Sequence, residues 1–195
     1  MASYRLVTAP STEPLTYAEV KAYLRLNGDT EETFVTSLIT AARMKVETMI
    51  WRPLISQAWG MYFDYSELDT RVYNINKAPV ISVDNIKYYD SDNVLQTLSA
   101  SDYEVDIYGN PCRFRIIDMP ECYDRLGTLQ VNFTCGYANA GSVPQPIKLA
   151  MYMIIGHLYE NRQDVMTGTQ VNSVPQGSET LLEPYRNTFI FANNS

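Results

Sequence analysis

The sequence predicts an α+β fold, a small α-helical core interrupted by an inserted antiparallel β domain. Three observations carry that expectation. Apolar residues recur at helical spacing up to about residue 52, the period changes to two from Pro53, and helical spacing returns beyond Tyr137. The expected division is therefore 1–52 and 138–195 for a helical core with a C-terminal tail, and 53–137 for the β insert. A chain of 195 residues can bury such a core without disulfides.

The first element is written in "PLTYAEVKAYLRL". Thr16 stands three residues ahead of Glu19, the spacing of a capping box, and Leu15 and Val20 are placed as a hydrophobic staple, so a helix is expected over 17–26. "NGD" ends it. Asp29 and Glu32 repeat the capping-box spacing and open a longer helix. There Val35, Leu38, Ile39, Ala42, Val46 and Met49 make an apolar stripe, with Glu32, Thr36, Thr40, Arg43 and Glu47 on the opposite side.

The β insert alternates. Tyr103, Val105 and Ile107 face one way and Glu104 and Asp106 the other; Val131, Phe133 and Cys135 oppose Asn132 and Thr134. Further strands are expected over 56–63, 71–75, 83–89, 94–98 and 113–117, with "DSDN" at 90–93 as a turn. This alternation points Cys135 into the β core as a small hydrophobe.

A helix over 146–162 follows, with Pro146 suited to its first turn and Arg162 near the negative end of its dipole. It is apolar nearly all round and needs cover from the fold or from a neighbouring subunit. Gly156 is costly there by about 1 kcal/mol relative to alanine, and a close helix crossing or subunit contact is the ordinary reason for it. "DVMTGTQVNSVPQGS" is too long and polar for a routine connection, and is expected to move or to order against a partner. "SETLLEPYRNTFIF" then presents Leu181, Leu182, Tyr185 and Phe189 as an apolar side. No internal repeat is visible.

The formal charge is −7. Residues 52–143 carry seven basic and twelve acidic groups, so the acidity sits in the β insert. Such a segment repels phosphates rather than gripping nucleic acid. The longest apolar run, "LAMYMII", is far short of the roughly 20 residues that span a bilayer, and no membrane association is expected. Cys112, Cys122 and Cys135 have spacings of neither a zinc knuckle nor a redox pair, and read as reduced thiols in a cytosolic setting.

Little here suggests catalysis. His157 is the single histidine, and with Glu160 three residues on it reads as a polar pair at a helix end rather than a metal site. There is no GxSxG, Walker loop or GxGxxG. Asp90/Asp92 and Asp102/Glu104 fall in turns or on exposed strand faces. The fifteen tyrosines suit a contact surface and a sheet core equally. No enzyme activity, cofactor or metal is expected.

The order of parts resembles the head–tail connector, or adaptor, proteins of tailed phages and related gene transfer agents. The resemblance rests on "PLTYAEVKAYLRLNGDTEETFVTSLITAARMKVETMIWRPLISQAW", "IKYYDSDNVLQTLSASDYEVD", "VNFTCGYA", "VPQPIKLAMYMIIGHLYENRQ" and "LLEPYR", five stretches in register across most of the chain. It implies a structural, non-catalytic protein made in the host cytoplasm and residing at the virion neck. It further implies a homo-oligomeric ring, usually of twelve, that binds the portal protein above and a stopper or tail protein below, with DNA passing through without specific binding. On that reading His157 is structural, and Gly156, Tyr159, Leu181, Leu182, Tyr185, Arg186 and Phe189 are the candidate oligomer and portal interface. The competing reading of the residues is a β-rich ligand- or carbohydrate-binding module of a virion, suggested by the Tyr-rich acidic insert.

Overall fold

The computed structural model describes residues 2–68, 72–162 and 176–187. They form an α+β fold in two compact units. One unit takes 12–55 and 139–186; the other takes the segment up to Ser11, Ser56–Ala138 and Asn187.

The helical unit contains α1 (Tyr17–Leu24), α2 (Glu32–Ile50), α3 (Gln145–Glu160) and the short α4 (Gln176–Leu182). The capping box at α1 forms as the sequence requires. The Glu19 amide donates to Thr16 Oγ1 at 3.3 Å and the Thr16 amide to Glu19 Oε2 at 2.7 Å, which satisfies two N–H groups that a helix start leaves without partners. The helix stops at Leu24, because Arg25 adopts a left-handed φ of 55°.

The second expected capping box does not form. Asp29 Oδ1 instead takes Lys21 Nζ at 2.6 Å and the Tyr17 hydroxyl at 3.1 Å, and α2 begins after Glu31 without a side-chain cap. Charge attraction across the turn outweighs the local cap.

Val35, Leu38, Ile39, Ala42 and Val46 of α2 are buried, and Ile50 takes the last place on the stripe, with Met49 half-buried. Each buried Val, Leu or Ile is worth about 1.5–3 kcal/mol of transfer free energy. Arg43, expected on the solvated side, is 8 % exposed. Its Nε meets Glu13 Oε2 at 2.7 Å and its Nη1 meets Glu47 Oε2 at 3.0 Å. Thr40 also donates to Glu13, and the Leu54 amide to Glu47. The polar side of α2 is thus a closed network that ties the chain before α1 and the chain after α2 to one helix.

The β unit holds eight strands: β1 (Ser3–Thr8), β2 (Gln57–Phe63), β3 (Val72–Ile75), β4 (Val80–Tyr89), β5 (Leu95–Thr97), β6 (Tyr103–Asp106), β7 (Cys112–Ile116) and β8 (Leu129–Cys135). A five-stranded sheet runs β1-β2-β8-β4-β5 and a three-stranded sheet runs β3-β7-β6, every pairing antiparallel. The two sheets share one core. Phe133, Val131 and Met61 of the larger sheet belong to the same buried cluster as Tyr73, Phe114 and Ile116 of the smaller. Tyr73 stacks on Phe114 with ring centroids 5.0 Å apart, and Phe63 meets Tyr73 edge-on at 4.7 Å.

Cys135 is fully buried, as the alternation predicts, and so is Cys112, whose thiol is pushed up to about 11 by burial and the nearby Asp106 charge. All three thiols are free.

Two expectations fail here. Residues 3–8, counted with the helical part, form β1 and pair with β2, with Tyr4 opposite Met61 and Leu6 opposite Trp59. An edge strand with one half-buried residue carries almost no alternation to read. Ile107 is 38 % exposed because β6 ends at Asp106, where Gly109 and Arg113 both donate to the Asp106 carboxylate and turn the chain.

Candidate subunit interface

Along α3 the described side chains of the helical unit leave one strip partly uncovered. Ile147, Ala150, Met151, Ile154 and Ile155 are buried in the unit. That spacing leaves Gln145, Leu149, Tyr152 and Gly156 on another face, three or four residues apart. Leu149 is 48 % exposed. Together with Gln145, Pro146, Tyr152 and Leu181 it lines an apolar cleft of about 350 Å³ between α3 and α4.

The other border of this strip is Tyr23 of α1. Its ring lies 5.0 Å from that of Tyr152, and a Cβ added at Gly156 would sit 3.4 Å from Tyr23 Cε1. Burial raises the Tyr152 hydroxyl pKa, with the Glu19 charge adding to it. A methyl group at Gly156 would therefore make an ordinary contact with Tyr23 inside the chain, and only a larger side chain would press on it. A second glycine sits closer: a Cβ on Gly177 would lie 2.8 Å from Met153 Cε, so α4 touches α3 where any side chain would push the end of that methionine aside.

The C-terminal end of α3 is fastened to the start of α2. The Tyr159 hydroxyl donates to Glu31 Oε2, and Arg162 Nη2 donates to Glu31 Oε1 at 2.6 Å. The Arg162 guanidinium also lies 4.8 Å from the Phe34 ring centroid and 4.6 Å from that of Tyr159. Glu31 is held below the usual carboxylate range by the Tyr159 hydrogen bond first and Arg162 second, and Tyr159 is raised by the same bond.

His157 has Asn161 as its partner in place of Glu160. The Asn161 amide donates to the His157 carbonyl at 2.8 Å and lies 3.3 Å from the imidazole Nδ1. Among the described residues no group of three His, Cys, Asp or Glu side chains is placed to hold a metal ion, and no helix is long and apolar enough to cross a membrane.

The residues expected at an interface thus divide. Gly156 and Tyr159 make contacts inside the unit, Leu182 is 2 % exposed, and Arg186 donates to the Met49 carbonyl at 3.3 Å and faces Glu183 at 3.6 Å. Leu181 borders the open cleft and Tyr185 is half-buried in the turn that follows α4. Phe189 and the segment "DVMTGTQVNSVP" lie outside the described residues. Leu149 and Tyr152 were not singled out from sequence, although the same i, i+3 spacing that marks the buried side of α3 places them together on the open one.

Comparison with solved structures gives the fold a precedent. A chain in the neck of an empty gene transfer agent (GTA) particle, computed with C6 symmetry, superposes with a TM-score of 0.74 at 22% identity, covering 95% of this chain and 95% of that one. A chain in the virion of a native gene transfer agent particle matches with a TM-score of 0.74 and 22% identity over 94% of this chain and 95% of that one. A chain in the neck of a native GTA particle computed with C12 symmetry gives 0.68 and 20% identity, over 95% of each chain. At these identities the likeness is one of fold. Among curated proteins, none matches this sequence. The sequence profile of the head completion proteins, however, matches residues 13–188, which takes in both units, and the chain belongs to that family.

Proposed function

We propose that this chain is a structural head–tail connector of a tailed phage or related particle, whose copies form a ring at the neck, beneath the portal, linking the DNA-filled head to the tail or to further head-completion proteins. Membership of the head completion family across residues 13–188 is the observation that carries the reading. The shared fold with neck chains of particles described with sixfold and twelvefold symmetry supports a ring, with twelve copies as its finer form.

The open strip on α3 suits that role. Of the expected interface residues, Leu181 borders the open strip that Leu149 and Tyr152 add to it, Arg186 is exposed and Tyr185 half-buried, and Gly156, Tyr159 and Leu182 make their contacts inside the unit. The segment around Phe189 belongs to the proposed portal contact. A subunit with a formal charge of −7 does not grip the DNA that would pass it. The reading involves no chemistry by the chain, and the work is done by packed surfaces.

Gold labelling of this protein in intact particles, viewed by electron microscopy, tests the proposal. Label between head and tail is the expected result. Label on the capsid faces or the tail tip, or particles without the protein, would overturn it.

A further inference from the structure

The strand order brings three connections of the β unit to one end, β2–β3, β4–β5 and β7–β8, and the connection from β5 reaches the same end where it enters β6. Phe63 pairs with Leu129 and Tyr88 with Leu129, so the end of β2, the end of β4 and the start of β8 coincide. Val72 pairs with Arg115 and Tyr103 with Ile116, which brings the start of β3, the start of β6 and the end of β7 to that side as well.

These connections are fastened to each other. The Tyr65 amide donates to the Arg125 carbonyl and the Tyr123 amide to the Tyr89 carbonyl. Gly127 N–H donates to Asp64 Oδ1 at 2.7 Å. The Arg125 guanidinium covers the Tyr89 ring at 3.9 Å and donates to Asn93 Oδ1 at 2.9 Å. This end is therefore a built surface and not a set of loose tips.

Its composition is unusual in two ways. It exposes Tyr65, Val94, Leu95, Ile117, Tyr123 and Leu126, the last at 78 %. Beside Tyr65 a cleft of about 430 Å³ opens between Leu68, Met119, Pro120 and Cys122. Around these apolar groups the described charges are predominantly negative. Asp92, Asp118, Glu121 and Asp124 are exposed, and Asp64, Glu67, Asp90 and Asp102 stand in the same connections. Arg125 is the one cation in these connections among the described residues, and its guanidinium is already engaged with Tyr89 and Asn93.

Exposed apolar groups gathered with a predominantly acidic rim mark a contact surface, since a monomer gains nothing from leaving them in water. The rim decides the partner. Phosphates are repelled, and a second copy presenting this same end would bring like charges together. We infer that this end of the β unit docks a different virion protein through a segment that sets lysines or arginines around an apolar centre. The inference rests on the connector reading. It assigns the β unit a protein contact of its own, separate from the α3 strip.

The test uses the full chain in assembled particles, with Leu126→benzoylphenylalanine as a photo-crosslinker. Tyr108, 95 % exposed in the β6–β7 turn at the opposite end of the smaller sheet, carries the same probe as the control. Irradiation should join position 126, and not 108, to a different virion protein at a stretch with basic residues beside apolar ones. Adding Glu121→Lys with Asp124→Lys should lower the yield about fivefold or more, because the rim would then repel the same segment; the milder Glu121→Gln with Asp124→Asn should lower it less.

Adducts to DNA, to another copy of this chain, or to nothing, in particles that contain the protein, would overturn the inference and leave the connector reading intact. So would a yield that neither charge variant changes. Particles that lack the protein altogether would overturn the connector reading first.

Discussion

Arg162, just past α3, meets Glu31, at the start of α2, with a nitrogen to oxygen distance of 2.6 Å. The same carboxylate accepts the Tyr159 hydroxyl, so one acidic side chain holds the end of one helix to the beginning of another. The glutamate's pKa lies below the usual 4.5, through the Tyr159 bond first and the Arg162 bond next.

The sign of the pH effect follows. A carboxylate with a depressed folded-state pKa stabilises the fold fully above its unfolded value and loses that contribution as pH falls through the folded value. Glu31→Gln should therefore lower the melting temperature at neutral pH, and the gap between variant and parent should close below the ordinary glutamate range. Thermal melts across pH 3–7 check this at about half-unit steps. A gap that persists unchanged at the acid end would mean that the contact does not depend on the charge.

Arg43 offers a second case with a larger expected cost, because its side chain is mostly enclosed. Glu13 and Glu47 both direct an oxygen at it. Arg43→Ala would leave two carboxylates close together without their cation, at a cost on the order of 3 kcal/mol. Urea unfolding measures it. Adding Glu13→Gln and Glu47→Gln to Arg43→Ala should recover part of that loss by removing the repulsion; a triple variant as unstable as Arg43→Ala alone would show that packing by the arginine stem is the main term.

Gly156 separates two effects by size. A methyl group there meets Tyr23 at an ordinary contact distance of 3.4 Å, so Gly156→Ala should gain up to about 1 kcal/mol from helix propensity. Gly156→Leu should press on the Tyr23 ring and cost about 1–3 kcal/mol. Denaturation of the two variants, compared with the parent, reads both signs. A leucine variant that melts like the parent would mean that Tyr23 swings aside freely.

Periodic packing was legible in the sequence, and charged networks were not. The α2 stripe from Val35 to Val46 and the inward set Val131, Phe133, Cys135 lie where their spacing puts them, because each repeat is fixed by one face meeting one core. The enclosure of Arg43 is not legible, because a helical wheel reports its polarity but not Glu13, thirty residues away. The same holds for Asp29, whose capping geometry competes with Lys21, a residue that only the turn brings near. β1 leaves no pattern in the sequence, because an edge strand needs a partner in space rather than an alternation. Of the proposed interface, Leu181 was visible as an apolar residue, but Leu149 became a candidate only when α3 was seen to bury Ile147 and Ala150 and leave its next neighbour uncovered.

The last prediction concerns that uncovered residue. Leu149 is nearly half exposed and borders the cleft with Tyr152 and Leu181, so it adds little to the stability of the free subunit. Leu149→Glu should change the unfolding free energy by no more than about 0.5 kcal/mol, as exposed substitutions do. In a ring the same position would be covered, and a glutamate there would be a buried charge without a partner. Loss of one well-covered apolar anchor at an interface costs about 2 kcal/mol or more, which is roughly thirtyfold in affinity per contact, and a ring repeats the defect at every junction. Particles assembled with Leu149→Glu should therefore carry little of this protein, by quantitative blotting against a capsid protein, while Leu149→Met should restore normal occupancy. If the glutamate variant is incorporated as well as the parent, the α3 strip is not where subunits meet, and the interface must be sought on another face of the helical unit.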